Sequence, residues 1–433
     1  MAFRRELVRE FGIVGAGGAG FPTHVKMQAK AEILILNAAE CEPLLHKDKE
    51  LLSHHAEQVL NGMRRARALV NAQRCIIGIK GKYKEVIGKL ERQLPEGFEL
   101  APLSDTYPAG DEFLLVYDVT KRIIPPGGLP IHVGCVVNNV ETMFNLGSDG
   151  PVTHKFLTVA GAVKQPLTLC VPIGTSVRDA IAAAGGPTID SWTVLLGGVM
   201  MGHLCDDLDT PITKTCGGIY VLPTDHVLVR RYRRTLKQVN RIGRSACDQC
   251  SFCTEMCPRY LLGHPIEPHK AMRALGFTLD KMPLLAGTSF CCECNVCTMI
   301  ACPEDLDPRR ACIQGKAVVR EKGVRWQSEG RKIEPHPLYE SRRVPTKRLF
   351  ARLNLGIFVN EGSLVEKRLE PGRVRIPLKQ HVGSPAVPVV TAGARVRQGD
   401  LIASVPPDQL GAPIHASIGG TVTAVTDFIE ITA

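Results

Sequence analysis

The sequence predicts a multidomain chain of α/β and α+β parts: a parallel-sheet domain, a small α+β module, a helical cysteine-rich domain and a C-terminal all-β module. Three observations lead there. Strand-like apolar runs alternate with helix-period stretches over the first 150 residues, and nine of the sixteen cysteines fall in two tight groups. The tail from Arg373 is rich in Val, Ile, Gly and Pro at turn-like spacing, with no helical period. The 433 residues are 44% hydrophobic and 22% charged, which excludes a disordered or fibrous chain. The longest apolar runs, 33–36 and 195–201, are too short to cross a bilayer, and the first ten residues hold no apolar signal core. Neither a membrane span nor secretion is expected, so the cysteines point to metal ligands rather than disulfides. The formal charge of +10 raises nucleic acid or an acidic partner. Only 5% of residues are aromatic, however, and the most Arg-rich stretch holds just Tyr232, so stacking platforms are missing and no nucleic acid is expected.

The elements follow in order. A glycine loop, Gly15-Ala-Gly-Gly-Ala-Gly20, runs into Phe21-Pro22 and a strand at 33–36. From 46 to 72 the apolar residues Leu52, Ala56, Val59, Met63, Ala66 and Val70 step by four and three, the mark of one helix with a buried face. A strand at 75–79, a helix at 82–94, a strand at 98–103 and a helix at 111–121 come next, the last ended by Pro125-Pro-Gly-Gly128. Beyond 151 the texture shifts to strands at 156–160, 167–171, 194–196 and 218–222, with a helix at 176–184 stopped by Gly185-Gly-Pro187. Residues 229–244 then carry seven basic side chains and no acid: Arg230, Arg231, Arg233, Arg234, Lys237, Arg241 and Arg244. This stretch reads either as a solvated helix face or as a charge partner for the cysteine region after it. The domain division is 1–150, 151–228, 229–330, a basic, Pro-interrupted linker at 331–372, and 373–433.

Cys247-x-x-Cys250-x-x-Cys253-x-x-x-Cys257-Pro matches the bacterial ferredoxin run, in which three closely spaced cysteines wrap one cluster corner and the fourth reaches a second cluster. In the second group Cys291, Cys294 and Cys297 keep the triplet spacing and Cys302 again precedes Pro, with one extra residue before it. Zinc is the alternative, but zinc sites use separated C-x-x-C pairs rather than triplets. Two [4Fe–4S] clusters are expected, with Cys257 serving the second and Cys302 the first by analogy with two-cluster ferredoxins. Cys292 is either a neighbouring thiol or an alternative to Cys291, and Cys291 is preferred. The remaining cysteines, Cys312 among them, read as small buried hydrophobes.

The glycine loop alone is weak evidence for a phosphate site. It gains from Asn37-Ala-Ala-Glu40-Cys-Glu42-Pro43 at a strand end and from Val136-Val-Asn138-Asn139-Val-Glu141-Thr142. These three segments, in this order, resemble the NADH-oxidising flavoprotein subunit of respiratory complex I. The resemblance implies that Gly15, Gly17, Gly18, Gly20 and Lys26 lie on the phosphate side of FMN. It also implies that Asn37, Glu40, Asn138, Asn139 and Thr142 contact the flavin. Tyr107-Pro-Ala-Gly110-Asp111-Glu112 looks like a further segment of that family's flavin site, and Phe21 and Glu42 are candidates for contact with the nicotinamide nucleotide. Two positions depart from the family pattern: Ala16 stands for Arg and Ala39 for Asp.

The resemblance extends along the chain. Residues 151–228 look like a soluble-ligand-binding β-grasp domain, and the cysteine region is similar to that of the Rnf C subunit. The tail, with Gly393-Ala-Arg-Val396 and Pro413-Ile-His415, looks like a barrel-sandwich hybrid. No lysine follows Lys379, so it lacks the attachment residue of lipoyl and biotinyl carriers. Taken together the chain resembles the cobalamin reductases of propanediol-utilisation microcompartments. That implies a flavin and iron–sulfur oxidoreductase carrying electrons from NADH through FMN and two [4Fe–4S] clusters to a corrinoid, toward cob(I)alamin, with no acid–base residue required. The implied partners are the corrinoid or its adenosyltransferase, microcompartment shell proteins and further copies of the chain. The implied place is the cytoplasm, inside the microcompartment. The alternative is an Rnf-like or microcompartment electron relay that reduces flavodoxin or ferredoxin. A docking protein with purely structural clusters is a third reading.

Overall fold

The computed structural model describes residues 3–277, 281–324, 326, 332–366 and 369–433. The first part is built on a four-stranded sheet in the order Phe98–Leu103, Arg74–Lys80, Ile33–Ala38, Cys135–Asn139, and every pair is parallel. Three of these strands coincide with the expected apolar runs. The fourth, Cys135–Asn139, is in sequence only an apolar stretch with a polar insert. Its register places Asn139 opposite Asn37. Both asparagines therefore stand at the carboxyl edge of the sheet, where open α/β sheets bind ligands.

The helix expected over 46–72 is two helices, Lys47–His54 and Ala56–Val70, separated at His55. The second buries Val59, Leu60, Met63, Ala66 and Val70 as its spacing requires. It packs so closely on the helix Val140–Leu146 that a Cβ on Gly62 would lie 1.8 Å from the Met143 carbonyl oxygen.

The next module is a five-stranded mixed sheet, ordered Leu167–Pro172, His154–Gly161, Gly218–Pro223, Trp192–Leu196, His203–Cys205. Its helix Val177–Ala183 is capped by Ser176, whose hydroxyl accepts from the Asp179 amide. The basic stretch forms two helices, Val227–Arg233 and Leu236–Ala246, and leads into the short helices of the cysteine region. The segment between the cysteines and the tail is more than a linker. Val344–Pro345 pairs antiparallel with Thr106–Tyr107, and a helix spans Thr346–Arg352. The buried ammonium of Lys80 reaches Asp105 at 2.8 Å and the Thr346 hydroxyl at 3.3 Å, which ties this segment to the first sheet.

The tail is all β: four strands in the order Arg373–Pro377, Phe428–Thr432, Gly420–Val425, Arg395–Val396, and three in the order Val387–Pro388, Leu401–Ser404, Ile414–His415. Its buried Ile376, Val422 and Ile431 belong to the same continuous core as Leu34, Met63 and Met143 of the first domain. A second core joins Leu44 and Tyr107 to Leu195 and Val199 of the mixed-sheet module, Cys294 and Met299 of the cysteine region, and Leu349. That core holds the cysteines against the first sheet.

Candidate functional site: a flavin-domain cavity and two cysteine sites

At the carboxyl edge of the parallel sheet lies a cavity of about 480 Å³, within the range of small-molecule sites. Ten of the fifteen residues singled out from the sequence line it: Gly15, Gly17, Phe21, Lys26, Asn37, Gly110, Glu112, Asn138, Asn139 and Thr142. The loop turns back on itself through a Gly15 amide bond to the Phe21 carbonyl at 2.9 Å, and the Ala16 amide donates to the Thr142 hydroxyl at 3.0 Å. Asn37 donates to the Gly110 carbonyl at 2.8 Å. The Asn139 side chain caps the helix Val140–Leu146 by accepting from the Glu141 amide at 3.0 Å. These side chains are fixed by bonds to the scaffold before any ligand arrives.

Two features fit a phosphorylated, polar-edged cofactor. The Asn138 side-chain amide is buried against the cavity and, among the described residues, has no partner for its nitrogen, which is costly unless a ligand accepts from it. The Lys26 ammonium stands at the wall, held by the Val137 carbonyl at 2.9 Å and by Glu112 at 3.4 Å. The apolar wall made by Val25, Ala29, Leu129, Pro130 and Ile131 has no signature in the sequence. Pro125-Pro-Gly-Gly128 reads there as a helix stop alone, although it delivers the chain to that wall.

Gly18, Gly20, Glu40, Glu42 and Asp111 do not line this cavity. Glu40 is buried beside it, with one oxygen accepting from the Asp48 amide at 3.1 Å and the other without a partner among the described residues. Burial, with the charge of Asp48, pushes its carboxyl up to about 8. Next to it is a buried charge web. Lys47 reaches Asp48 at 2.6 Å and Glu141 at 3.1 Å, Lys155 of the mixed-sheet module also pairs with Glu141, and Asn139 donates to Asp48 at 2.6 Å. Glu42, a candidate for nicotinamide contact, is turned the other way. Its oxygens accept from the amides of Met200 at 2.9 Å and Met201 at 3.1 Å, and from the Tyr107 hydroxyl at 3.5 Å. Burial pushes this carboxyl up to about 7. Asp111 caps the helix Glu112–Thr120 and takes a 2.8 Å ion pair from Arg259.

The cysteines gather at two sites that cross over between the groups. One is lined by Cys247, Cys250, Cys253 and Cys302; the other by Cys257 together with Cys291, Cys292, Cys294 and Cys297. The triplets repeat each other in the backbone. Gln249 and Ser251 have φ of 61° and 65°, and Glu293 and Asn295, at the same offsets from Cys291, have 61° and 70°. The Glu293 amide donates to the Cys291 sulfur at 3.4 Å, and the Leu306 amide to that of Cys302 at 3.4 Å. Among the described residues, no group of three or more His, Cys, Asp or Glu side chains is placed to hold a single metal ion.

Cys312 is fully buried in the hydrophobic core of the cysteine region, as expected of a small buried hydrophobe, and it lies beside Cys291. The basic stretch resolves both ways. Arg231 and Arg234 pair with Asp305, three residues after Cys302, whereas Lys237, Arg241 and Arg244 are exposed.

The segment 107–112 joins cavity to cysteines. Gly110 and Glu112 line the cavity, while the Tyr107 hydroxyl donates to the Cys294 carbonyl at 2.8 Å and Asp111 pairs with Arg259, two residues past Cys257. Comparison with known proteins gives the same division of labour. Residues 8–148 match the Nuo51 FMN-binding domain, 156–203 the SLBB domain, 246–307 a 4Fe-4S dicluster domain and 359–433 the RnfC barrel sandwich hybrid domain. Over 428 residues, 98% of this chain and 94% of the other, the sequence is 44% identical to cobalamin reductase PduS of Salmonella typhimurium.

The chain belongs to the cobalamin reductase PduS family.

Cobalamin reductase PduS of Citrobacter freundii is 42% identical over the same extent. A more distant relative is the C subunit of the proton-translocating ferredoxin:NAD(+) oxidoreductase complex of Clostridium ljungdahlii, 35% identical over 267 residues, 59% of this chain and 55% of that protein. The PduS-family chain is thus an oxidoreductase with FMN and two [4Fe–4S] clusters as its cofactors. Among its described residues no helix is long and apolar enough to cross a membrane.

Proposed function

We propose that this oxidoreductase takes electrons from NADH and delivers them to the cobalt of a corrinoid, toward cob(I)alamin. Bound FMN would supply the conversion of a hydride's electron pair into single electrons, which clusters held at the two cysteine sites could accept one at a time. The observation that carries the reading is the shared segment 107–112, which forms part of the FMN-domain cavity and at the same time holds Cys294 and Arg259.

In this reading Lys26 and the glycine loop at Gly15 and Gly17 hold the phosphate, and Asn37, Asn138, Asn139 and Thr142 hold the flavin. Phe21 faces the nicotinamide. Glu40, buried beside the cavity, and Asp111, which caps the helix that begins at Glu112, position these groups from behind. Cys247, Cys250, Cys253 and Cys302 ligate one cluster, and Cys257, Cys291, Cys294 and Cys297 the other. Residues 1–150, 151–228, 229–330 and 373–433 form the corresponding domains. By the same kinship the setting is the cytoplasm, inside a bacterial microcompartment, with the corrinoid or its adenosyltransferase and shell proteins as partners and self-association of the chain. No acid–base residue is assigned.

Anaerobic titration with NADH, followed by visible and paramagnetic resonance spectra, tests the proposal. It should bleach both flavin and cluster absorbance in protein that carries about eight irons. Failure of NADH to bleach either chromophore, or an iron content of about four, would refute it.

A further inference from the structure

The two cysteine sites differ in their exposure. Of the nine cysteines that line them, Cys250 alone is exposed, and it belongs to the site remote from the segment 107–112. The helix Leu236–Ala246 runs directly into this loop and ends on Cys247. Its inner face is settled by contacts: Val239 and Gly243 are buried, and a Cβ on Gly243 would meet Leu275 and Met272 at 3.0 Å. Lys237, Arg241 and Arg244 fall on the opposite stripe at i, i+4, i+7 and are exposed. Arg230 and Arg233 add exposed charge one helix earlier, and no acid occurs from 227 to 247. Asp248 and Glu304 stand at the lip of the cysteine loop, and Asp305 beside them is already paired with Arg231 and Arg234. Leu236, Ile242 and Phe252 are exposed by 49%, 43% and 49%. Apolar side chains among like charges beside the one exposed cluster cysteine are the composition of a transient protein contact rather than of an idle solvated helix.

We infer that this face docks an acidic one-electron carrier protein, which takes electrons from the Cys247, Cys250, Cys253, Cys302 site. The inference rests on the electron path from NADH through FMN to the clusters and adds a protein acceptor beside the corrinoid proposed above. One NADH gives two electrons and a proton, becoming NAD⁺, and two carrier molecules each gain one electron. Electrostatic steering by the basic stripe raises the encounter rate, and the apolar side chains hold the contact.

The test uses the full-length holoprotein and an acidic flavodoxin as probe, with free hydroxocobalamin as a small acceptor, in anaerobic stopped flow. The protein is reduced either by NADH or by dithionite, so a defect in NADH oxidation is seen separately from a defect in docking. Flavodoxin reduction should fall about tenfold as salt rises from about 0.02 M to about 0.3 M. It should fall about as far in K237E/R241E at low salt, and less in K237Q/R241Q. Iron content, cluster resonance spectra and the rate with free hydroxocobalamin should stay as in the parent protein. Flavodoxin reduction that is indifferent to both salt and charge reversal would overturn the inference. So would equal loss of the flavodoxin and hydroxocobalamin rates with intact cluster spectra, because the variants would then act on the cluster rather than on docking.

Discussion

Glu40 shows how far a residue's role can depart from its motif. Its place between a strand end and the next helix suggests ligand contact, yet it is buried behind the cavity, one oxygen on the Asp48 amide and the other without a partner among the described residues. Burial, assisted by the negative charge of Asp48, raises its carboxyl to about 8, so the folded protein holds the proton at neutral pH. The sign follows from linkage. Between about 4.5 and about 8 the folded chain keeps a proton that the unfolded chain releases, so this residue's contribution to stability falls as pH rises through that window and is fully lost above it. The Glu40→Gln variant should match the parent near the acid end of the window and be more stable at the alkaline end. The difference is on the order of a few kcal/mol, because each tenfold change in proton affinity is worth about 1.4 kcal/mol. Urea denaturation at a series of pH values measures it. A parallel pH profile for parent and variant would show that Glu40 is ionised throughout.

The elements differ in how well local sequence announces them. The cysteine triplets are legible because their spacing is local and their loop geometry follows from it. The crossing of Cys257 and Cys302 between sites is accessible only by analogy. The burial of Cys312 is legible, but its meeting with Cys291 is not, since that depends on how the helix Pro308–Glu321 packs. In the first domain, Phe98–Leu103 and 75–79 stand out as bounded apolar runs, while Cys135–Asn139 is obscured by its polar end, which is also the part that reaches the cavity. The helical period across 46–72 persists through a break at His55, because both helices bury the same side. Backbone register also bears on the choice between Cys291 and Cys292. Positive φ at Glu293 and Asn295 repeats Gln249 and Ser251, so Cys291 occupies the place of Cys247, and the Glu293 amide already points at its sulfur. A side chain such as Cys292 can change rotamer cheaply, whereas the loop cannot. Cys291→Ser should therefore lose about half of the roughly eight irons, and Cys292→Ser should keep them, as measured by iron analysis of anaerobically purified protein. The reverse pattern would assign the ligand to Cys292.

At the scale of the whole molecule, the glycine loop serves two masters, and its glycines can be separated by what their missing side chains would strike. The tail sits on the loop. The Val382 amide donates to the Gly20 carbonyl at 3.0 Å, and the buried ammonium of Lys214 spans the carbonyls of Gly12 at 2.8 Å and Pro413 at 3.0 Å. The Ser417 hydroxyl reaches the Ile173 carbonyl at 2.6 Å, so the same tail also grips the mixed-sheet module. Gly20 has φ of 66°, and a Cβ there would approach Thr215 at 2.9 Å and His381 at 3.1 Å. Gly17 has an ordinary φ, and its Cβ would meet Asn139 first, at 3.3 Å, on the cavity side. Gly20 is thus a glycine because three modules meet on it, whereas Gly17 leaves room at the cavity. Gly20→Ala combines the left-handed penalty of about 1–2 kcal/mol with overpacking of about 1–3 kcal/mol. It should destabilise even flavin-free protein by about 2–5 kcal/mol. Gly17→Ala should leave the stability of flavin-free protein within about 1 kcal/mol of the parent, yet weaken FMN binding by about tenfold or more, since a methyl group then stands where the ligand must approach the backbone. Denaturant unfolding of the stripped protein and fluorescence titration with FMN separate the two effects. If both variants lost flavin affinity and neither lost stability, the tail would have no hold on the loop, and Gly20 would belong to the cofactor after all.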